Sequence, residues 1–561
     1  MKRIATIILT MILVMTTIFA QSKTQCHQLS ELSKIWGLLK YYHPEIASGK
    51  HDWDSVLVAN IGNMLSTRGT DHFLKAIDDL LAVAGNDTAD YYSPKIDHSI
   101  SYRNYDISWI KNARYLSNTQ KEKLHYIATH PHRGKNFYAH PEDDMDSAVA
   151  TSNEKPYKDM LLPDVNYRLL GLFRFWNVIN YYYPYKYAIG KPWDKVQQEM
   201  IPVMIKTSDT LSYYRAIAQM AASINDSHGG LWPEVFKPIA GKYMPPFNFR
   251  LIEGKAVVTK IIDSTLIHDT SFQVGAILTS INGIPISRLI KTYWNYVPAS
   301  NAGGKIKSMH GLILNTHSAQ ALYYGINKDG KKINTVLRQI ERDFLKDYLD
   351  FFQMDSEITT KLLEGNIGYV FFSNLNHKNL DSAMRSVLNT KAIIFDMRNY
   401  PGEGTATYQV PKYFLSQPEI YARNTYPDFS LPGRFNYVVS NEGTAFSQVG
   451  RQNQNPYRGK IILLVDSRTQ SAAEWACMTL LTSKNVTVIG NQTAGADGNV
   501  TRTILPGGYK IAFSGLGIYF PDGTETQRKG IPIDIEVRYT VADAIENRDP
   551  LLAKAIEFAN K

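Results

Sequence analysis

The sequence has few cysteines and few long apolar segments. Only two of its 561 residues are cysteines, Cys26 and Cys477, so the fold does not depend on a disulfide framework. After residue 20, no stretch is long and apolar enough to predict a membrane-spanning helix. With 44% hydrophobic and 20% charged residues, the composition indicates a globular protein of several domains.

Positive charge is in only slight excess. Lys and Arg number 61 against 52 Asp and Glu, a net charge of +9, and the basic residues are spread along the chain. A nucleic-acid-binding surface concentrates Lys and Arg on one stripe. We therefore expect no nucleic-acid partner.

Residues 1–20 predict a secretory signal peptide. Lys2 and Arg3 precede an apolar run from Ile4 through Phe19, and a small residue, Ala20, ends the segment. No charged stop-transfer segment follows, so cleavage is favoured over a membrane anchor. We expect an exported protein, periplasmic, cell-surface or secreted, with no stable membrane insertion after the signal is removed.

Two segments of the amino-terminal half match when the chain is shifted by 140 residues. The matches are Trp36 with Trp176, Tyr41-Tyr42 with Tyr181-Tyr182, Pro44 with Pro184, Trp53-Asp54 with Trp193-Asp194, and Val56 with Val196. Each copy predicts a helix, a proline-containing turn and a second helix that begins at Trp-Asp. The aromatic residues either pack helices together or form a surface that stacks on sugars or peptides. Helix packing is the favoured interpretation.

The segment 86–158 between the copies is polar and weakly periodic, and we predict an irregular insertion. It contains side chains of the kinds that bind metals: His130, His132, His140, Asp143 and Asp144. Their spacing is not that of a metal site. We expect no metal and no organic cofactor.

From residue 244 to residue 340 the pattern changes to short strands. They are predicted at Phe247 to Ile252, Ala256 to Ile262, Ala276 to Asn282, Ala321 to Ile326 and Lys332 to Arg338. The stretch from Gln273 to Ile286 resembles the strand-and-turn core of a PDZ domain, with a helix near Ser287 to Trp294. PDZ domains add a peptide as an extra strand and receive its carboxylate in a glycine-containing loop. Here Pro245 to Phe249 lacks that glycine, so a docking or regulatory role is an equal alternative.

Three further segments have unusual local chemistry, and the first contains His228. It follows a predicted apolar helix, Tyr214 to Ile224, and reads Asn-Asp-Ser-His-Gly-Gly at 225–230. Two glycines after a histidine allow a sharp bend and the close approach of another chain, which suits a general base. The alternative is a histidine that caps a helix.

The second segment is 391–404. The apolar run Ala392 to Phe395 predicts a buried strand that ends in a charged turn, and strand ends are where α/β sheets bind ligands. The N–H of Gly402 can face a substrate carbonyl as one oxyanion donor. An ion pair between Asp396 and Arg398 that stabilises the turn is a compatible interpretation.

The third segment is 460–475. A buried strand, Ile461 to Val465, leads through a polar turn to an apolar helix, Ala472 to Thr482. Ser471 lies at the first turn of that helix, where free N–H groups favour negative charge. It is either a nucleophile, with the N–H of Ala472 as an oxyanion donor, or a helix cap in a capping box with Glu474.

Together these segments resemble peptidase family S41, which includes the carboxyl-terminal processing proteases and the tricorn core protease. The matching motifs are Asp-x-His-x at 226–229, Asp-x-Arg-x-x-x-Gly at 396–402, Ser-Ala-x-Glu at 471–474, Gly-x-x-Thr-Ala-Gly at 490–495 and Gly-Ile-x-x-Asp-Ile-x-Val at 530–537. With the PDZ-like insert, the resemblance covers residues 165–545. It implies a serine peptidase with an α/β catalytic core of the ClpP/crotonase type, acting on a peptide or protein substrate.

The family divides by its catalytic base. Processing-type members use a Ser-Lys pair, but the corresponding turn here, 493–498, has no lysine. The tricorn branch uses a Ser-His pair that precedes the nucleophile. The resemblance therefore implies Ser471 as nucleophile, His228 as general base and Ser227 as an auxiliary hydrogen-bonding group. A serine needs an adjacent base, and neutral histidine supplies one near pH 7.

The resemblance also implies an acid just before the closing glycine, Gly530. The segment offers Glu525 and Gln527, which point to the same face if the backbone is extended. A carboxylate stabilises imidazolium and an amide does not. Glu525 is the predicted third member, with Gln527 or no acid as alternatives.

The expected fold is multidomain α+β. The predicted divisions are a signal peptide at 1–20, repeat copies at 27–85 and 159–243, the insertion at 86–158, a PDZ-like domain at 244–340, the catalytic core at 341–545 and a carboxyl-terminal helix at 546–561. The predicted activity is that of an endopeptidase or processing peptidase that forms a Ser471 acyl-enzyme. The alternative is a catalytically inactive, secreted protein that binds peptides or glycans on the same scaffold.

Overall fold

The computed structural model describes most of the chain after residue 22. The described residues are 23–66, 69–86, 104–141, 149–230, 233–342, 356–437 and 446–561. The predicted signal peptide lies outside them. The chain divides into two compact units: an amino-terminal unit of residues 1–216, 426–436 and 501–511, and a carboxyl-terminal unit of residues 217–425, 437–500 and 512–561.

Helices form most of the described part of the amino-terminal unit. They are 23–42, Pro44–Ala47, Trp53–Ser66, Thr70–Ala84, Ser108–Asn112, Asn118–Thr129, Val165–Tyr182, the 3₁₀ turn Lys186–Ala188, Trp193–Lys206, and Thr210–Ala222, which continues into the other unit. The second helix of each repeat begins at its Trp-Asp pair. The predicted helical character of this part is confirmed.

The two copies of the repeat share one side-chain arrangement. Trp36 donates its indole N–H to the carbonyl of Trp53 at 3.0 Å, and Trp53 donates to the carbonyl of Trp36 at 3.1 Å. Trp176 and Trp193 form the same reciprocal pair at 3.0 and 2.9 Å. All four side chains are buried, as expected if they pack helices together.

The insertion is more regular than predicted. It contains the helices Ser108–Asn112 and Asn118–Thr129, so the expectation of an irregular segment is wrong there. The second helix begins with a reciprocal cap between Ser117 and Gln120, at 3.1 and 3.3 Å. This cap, rather than a regular spacing of apolar residues, marks where the helix begins, so apolar periodicity did not predict it. Within the described ranges no group of three His, Cys, Asp or Glu side chains is arranged for a metal; Asp143 and Asp144 lie outside those ranges.

An antiparallel sheet in the carboxyl-terminal unit matches the strands predicted between 244 and 340. Its order is Phe247–Ile252, Lys255–Ile261, Ile277–Ile281, Gln320–Ile326 and Lys332–Arg338, with Ile284–Pro285 paired to the third strand. Helix Ile286–Tyr293 follows, and Phe247, Phe272 and Tyr323 pack together in the core. The strands and the helix are confirmed, and the PDZ-like character stays a prediction.

A six-stranded sheet, called the central sheet, positions the candidate site. Its strands, in spatial order, are Ile535–Glu536, Val486–Gly490, Lys460–Val465, Ala392–Asp396, Ile367–Phe371 and Thr360–Leu363. All neighbours pair in parallel except the last two. Helix Pro550–Asn560 covers one face through apolar contacts of Leu551 and Ala555. The carboxyl ends of the parallel strands share one edge, where α/β sheets bind ligands.

The remaining elements are short. The helices and 3₁₀ turns are Pro233–Ala240, Ser264–Leu266, Ala302–His310, Phe372–Asn374, Leu380–Val387, Gly404–Gln409, Val410–Tyr413, Ala472–Leu480 and Val541–Ile545. The strands are Tyr243–Met244 paired with Ile340–Glu341, the sheet of Phe435–Tyr437, Glu419–Pro427, Phe446–Val449 and Gly517–Tyr519, and the pair Val500–Ile504 and Lys510–Ser514. Among the described helices, none has the length and apolar character needed to cross a membrane.

Candidate active site

Ser471 lies in the turn between strand Lys460–Val465 and helix Ala472–Leu480. Its φ is 55° and its ψ is −120°, a conformation that non-glycine residues rarely adopt and that the surroundings must impose. The N–H of Ser471 donates to the carbonyl of Ala496 at 3.0 Å, which holds the turn. A strained serine between a strand and a helix is the geometry of a nucleophile elbow.

The two predicted oxyanion donors differ in how their N–H groups are used. Ala472 is the first residue of its helix, where N–H groups have no acceptor within the helix and the dipole favours an anion. Gly402 follows the neighbouring strand of the central sheet, but its N–H donates to the carbonyl of Ser373 at 3.1 Å. Gly402 can stabilise an oxyanion only after that bond breaks, so its role stays a prediction that requires a movement of the turn.

Glu474 links the nucleophile turn to the turn after the next strand. Its buried carboxylate accepts from the hydroxyl of Thr493 at 2.5 Å and from the N–H groups of Gly495 and Ala496 at 2.9 and 3.0 Å. The N–H of Ser471 approaches it at 3.4 Å, so the Glu474 half of the predicted capping box is present. Burial raises the pKa of Glu474 to about 7, although these hydrogen bonds oppose the shift.

The raised pKa of Glu474 predicts a pH-dependent stability. The folded chain keeps this proton up to about pH 7, whereas the unfolded chain releases it near its ordinary value of 4.5. Stability is therefore fully present below about pH 4.5 and falls as the pH rises through 7. Between pH 5 and pH 8, wild type should lose about 3 kcal/mol that Glu474→Gln does not lose.

Chemical denaturation at the two pH values measures this difference. Glu546→Gln, which changes an exposed carboxyl group, is the matched control and should follow wild type. Parallel pH dependence in wild type and Glu474→Gln would contradict the assignment.

His228 contacts a buried hydroxyl group. Its Nδ1 lies 2.9 Å from Oγ of Ser514, and the Ser514 hydroxyl donates to Oδ1 of Asp226 at 3.0 Å. Asp226 also accepts the backbone N–H of His228 at 3.0 Å and that of Ser514 at 2.6 Å. Ser514 and Asp226 are fully buried. The three side chains form an imidazole–hydroxyl–carboxylate relay.

The relay determines which ring nitrogen of His228 carries the proton. An ionised carboxylate only accepts hydrogen bonds, so the single hydroxyl hydrogen of Ser514 goes to Asp226. Oγ of Ser514 then acts as an acceptor for Nδ1–H of the ring. The Nε2 atom keeps the lone pair that a general base needs. Sequence reasoning included Asp226 in a motif without a role, and it missed Ser514.

Ser227 and Gln470 join the histidine and serine segments. The side-chain amide of Gln470, which directly precedes Ser471, donates to the carbonyl of Ser227 at 3.2 Å. The hydroxyl of Ser227 donates to the carbonyl of Ala494 at 2.9 Å and accepts from the N–H of Ser300 at 2.9 Å. These bonds of Ser227 hold the surrounding loops, and the structure brings the two predicted segments into direct contact.

The two candidate third members have different surroundings. Gln527 is buried, and its amide donates to Oδ1 of Asp226 at 3.3 Å and to Oγ of Ser300 at 3.4 Å. Glu525 is partly exposed, lies 3.9 Å from the ammonium group of Lys529 and lines a cavity of about 380 Å³. Gln527 therefore lies beside the relay, and the role of Glu525 toward His228 stays a prediction.

Two ionisable residues near the nucleophile, one partly buried and one buried, were not predicted. Lys307, on helix Ala302–His310, donates to Oε1 of Gln470 at 2.5 Å, and burial lowers its pKa to about 8. Asp497 lies in the turn that has no lysine; burial, and then the charge of Glu474, raises its pKa. A lysine thus approaches the nucleophile segment from a distant helix, which no local pattern indicates.

The predicted ion pair of Arg398 is present. Its guanidinium donates to both oxygens of Asp396 at 2.8 and 2.6 Å, and to Asp549 at 2.9 and 2.7 Å. Arg398 is buried, and the two carboxylates raise its pKa against the effect of burial. This network stabilises the turn that leads to Gly402.

Comparison with known proteins identifies the segment that contains the nucleophile turn. The family model of peptidase family S41 matches residues 366–537. Mature CPAF in complex with lactacystin has a similar fold: it is 12% identical, with a TM-score of 0.54, and the match covers 71% of this chain and 98% of CPAF. None of the curated protein sequences matches the chain.

Two further solved structures match with lower TM-scores. The photosystem II D1 C-terminal processing protease is 14% identical, with a TM-score of 0.35, over 66% of this chain and 92% of that one. The tricorn protease is 15% identical, with a TM-score of 0.34, over 74% of this chain and 37% of that one. The family match spans five of the six strands of the central sheet, Gly402, Ser471 and the 493–498 turn. Residues 366–537 of this chain are thus similar to peptidase family S41, and the chain is a serine-type peptidase.

Proposed function

We propose that this protein is an exported endopeptidase or processing peptidase in which Ser471 is the nucleophile and His228 the general base. The observation that carries the proposal is that two segments lie in contact. One has the strained Ser471 at the start of a helix, and the other has His228, whose Nδ1–H is bonded to Ser514. Gln470 and the 493–496 turn connect the two segments. Export is supported by the composition of residues 1–20.

Hydrolysis then proceeds in two steps. Oγ of Ser471 attacks the peptide carbonyl while Nε2 of His228 takes its proton, and the backbone N–H of Ala472 stabilises the oxyanion, joined by Gly402 after its turn moves. The protonated imidazole gives the proton to the leaving amine, and the C–N bond breaks to form the acyl-enzyme. Water, deprotonated by His228, attacks the ester; the acid product leaves and Ser471 regains its proton.

The relay supplies the orientation that this mechanism needs. Ser514 holds the imidazole in the Nδ1–H tautomer, and the negative charge of Asp226, transmitted through the hydroxyl group, stabilises the imidazolium that forms in each step. We assign this positioning role to Ser514 and Asp226 and keep Glu525 as the competing hypothesis.

A fluorophosphonate probe tests the proposed function, because it phosphonylates only an activated serine. The full chain should be labelled at one site, and labelling should be lost in Ser471→Ala. Ser467→Ala removes a serine from the same loop and should label as wild type does. An unlabelled wild type would favour the inactive binding protein, and labelling that persists in Ser471→Ala would refute the nucleophile assignment.

A further inference from the structure

The amino-terminal unit contains a cavity of about 250 Å³ that the peptidase chemistry does not use. Its wall includes two lysines, two aspartates, an asparagine and aromatic rings: Lys34, Lys186, Asp106, Asp194, Asn180, Trp109 and Trp176. The ammonium group of Lys34 lies 5.7 and 5.8 Å from the ring centroids of Trp109 and Trp176. Ammonium groups beside aromatic rings favour a ligand with an anionic group and an apolar part.

The internal repeat relates this cavity to a filled site in the other half of the unit. The 140-residue shift pairs Lys34 with Arg174, Trp176 with Trp36, Asn180 with Lys40, and Asp194 with Asp54. Ion pairs cross between the copies on both sides, from Lys34 to Asp194 and from Arg174 to Asp54. The surroundings of Lys34 and of Arg174 are therefore built alike. We call the surroundings of Arg174 the filled half and those of Lys34, which include the cavity, the open half.

In the filled half, a carboxylate of the chain lies between two cations. Oε2 of Glu154 is 3.1 Å from Nε of Arg174, and Oε1 accepts from the ammonium group of Lys40. That ammonium group lies 4.4 Å from the ring centroids of both Trp36 and Tyr138. Arg174, Lys40 and Glu154 are almost completely buried. A glutamyl carboxylate thus completes a site of cations and aromatic rings.

In the open half, the cations lie deeper than the acids. The side chain of Lys34 is 12% exposed, whereas that of Asp194 is 50% exposed. Lys186 donates to the carbonyl of Asn104 at 2.7 Å, and to the carbonyl and the side-chain oxygen of Asn180 at 3.1 and 2.9 Å. All three acceptors are uncharged, and a carboxylate is a stronger acceptor for an ammonium group than an amide oxygen is.

We propose that this cavity binds the carboxylate of a ligand, as the other half binds its own Glu154. The carboxylate accepts from Lys34 and displaces the side-chain oxygen of Asn180 at Lys186. The apolar part of the ligand contacts Trp109 and Trp176. The ligand carries a carboxylate on a stem of glutamyl size, either as a free small molecule or as an acidic side chain of a peptide.

Binding to the full chain is measured by tryptophan fluorescence and by isothermal titration calorimetry. The probes are glutarate and acetyl-Gly-Glu-Gly-amide, and their uncharged counterparts, glutaramide and acetyl-Gly-Gln-Gly-amide, are the controls. We expect saturable binding of at least one carboxylate probe and no binding of the amides. Binding of glutarate alone identifies a free small molecule as the source of the carboxylate, and binding of the peptide alone identifies an acidic side chain.

Three variants complete the test. Lys34→Met should weaken binding about ten- to a hundredfold, because a charged hydrogen bond is lost. Asn180→Glu adds a carboxylate beside Lys186 and should block binding while the unfolding midpoint is kept. Lys191→Met changes an exposed lysine that pairs with Glu199, and it should bind as wild type does. Equal binding of carboxylates and amides, no binding of any probe, or unchanged affinity in both cavity variants would overturn the proposal.

Discussion

Ser471→Ala should reduce kcat for peptide hydrolysis by about 10⁴-fold or more, because the proposed mechanism forms the acyl-enzyme on this hydroxyl group. The alanine side chain fits the same turn. Ser471 has a φ of 55°, and alanine meets the same backbone strain there as serine does. The loss of activity should therefore be chemical rather than structural. Circular dichroism and the unfolding midpoint should remain close to those of wild type.

His228→Ala should cause a loss of similar size, since an unassisted serine is a weak nucleophile at neutral pH. The double variant should be no slower than the slower single variant, because the two residues act as one unit. Steady-state hydrolysis of a fluorogenic peptide mixture measures all three rates.

Lys307→Met tests whether His228 or Lys307 is the general base for Ser471. Lys307 donates to Gln470, beside the nucleophile, and burial lowers its pKa to about 8, so it is the alternative base in reach of the same segment. If His228 is the base, Lys307→Met retains most of the activity. Loss of activity in Lys307→Met together with activity in His228→Ala would refute His228 as the base and favour a Ser-Lys mechanism.

Much of the scaffold around the site could be predicted from local patterns. The apolar runs at 392–395 and 461–465 predict two central strands, and the structure has them at Ala392–Asp396 and Lys460–Val465. The Trp-Asp pairs predict the starts of two helices. These features succeed because strand burial and helix initiation depend on residues that are adjacent in sequence.

The hydrogen-bond relay could not be predicted in the same way. Ser514 is 286 residues from His228, and nothing in its strand distinguishes it from other serines. Its contact arises from how the loops pack. The position of Lys307 beside the nucleophile segment also arises from tertiary packing. Its lowered pKa is caused by burial against distant elements. Local sequence indicates which residues can perform chemistry, and tertiary packing decides which of them meet.

Ser514→Ala should lower kcat/KM about ten- to a hundredfold, because the ring loses the acceptor that holds Nδ1–H. A hydrogen bond that involves a charged group contributes roughly 1.5–3 kcal/mol, and each 1.36 kcal/mol is about tenfold in rate. Asp226→Asn should cost at least as much, since it removes the charge that stabilises imidazolium. Ser514→Thr, which keeps the hydroxyl group, should restore most of the activity.

The pH–rate profile separates orientation of the base from a general structural role. Asp226 and Ser514 favour the protonated ring, and activity requires the neutral ring, so their removal should shift the acidic limb of kcat/KM to lower pH. A purely structural defect would lower the rate at every pH without moving that limb. The competing hypothesis predicts this shift in Glu525→Gln instead. Gln527 donates to Asp226 from the same segment as Glu525. Under the proposed mechanism this amide therefore supports the Asp226 carboxylate, and Asp226 supplies the negative charge that stabilises the imidazolium.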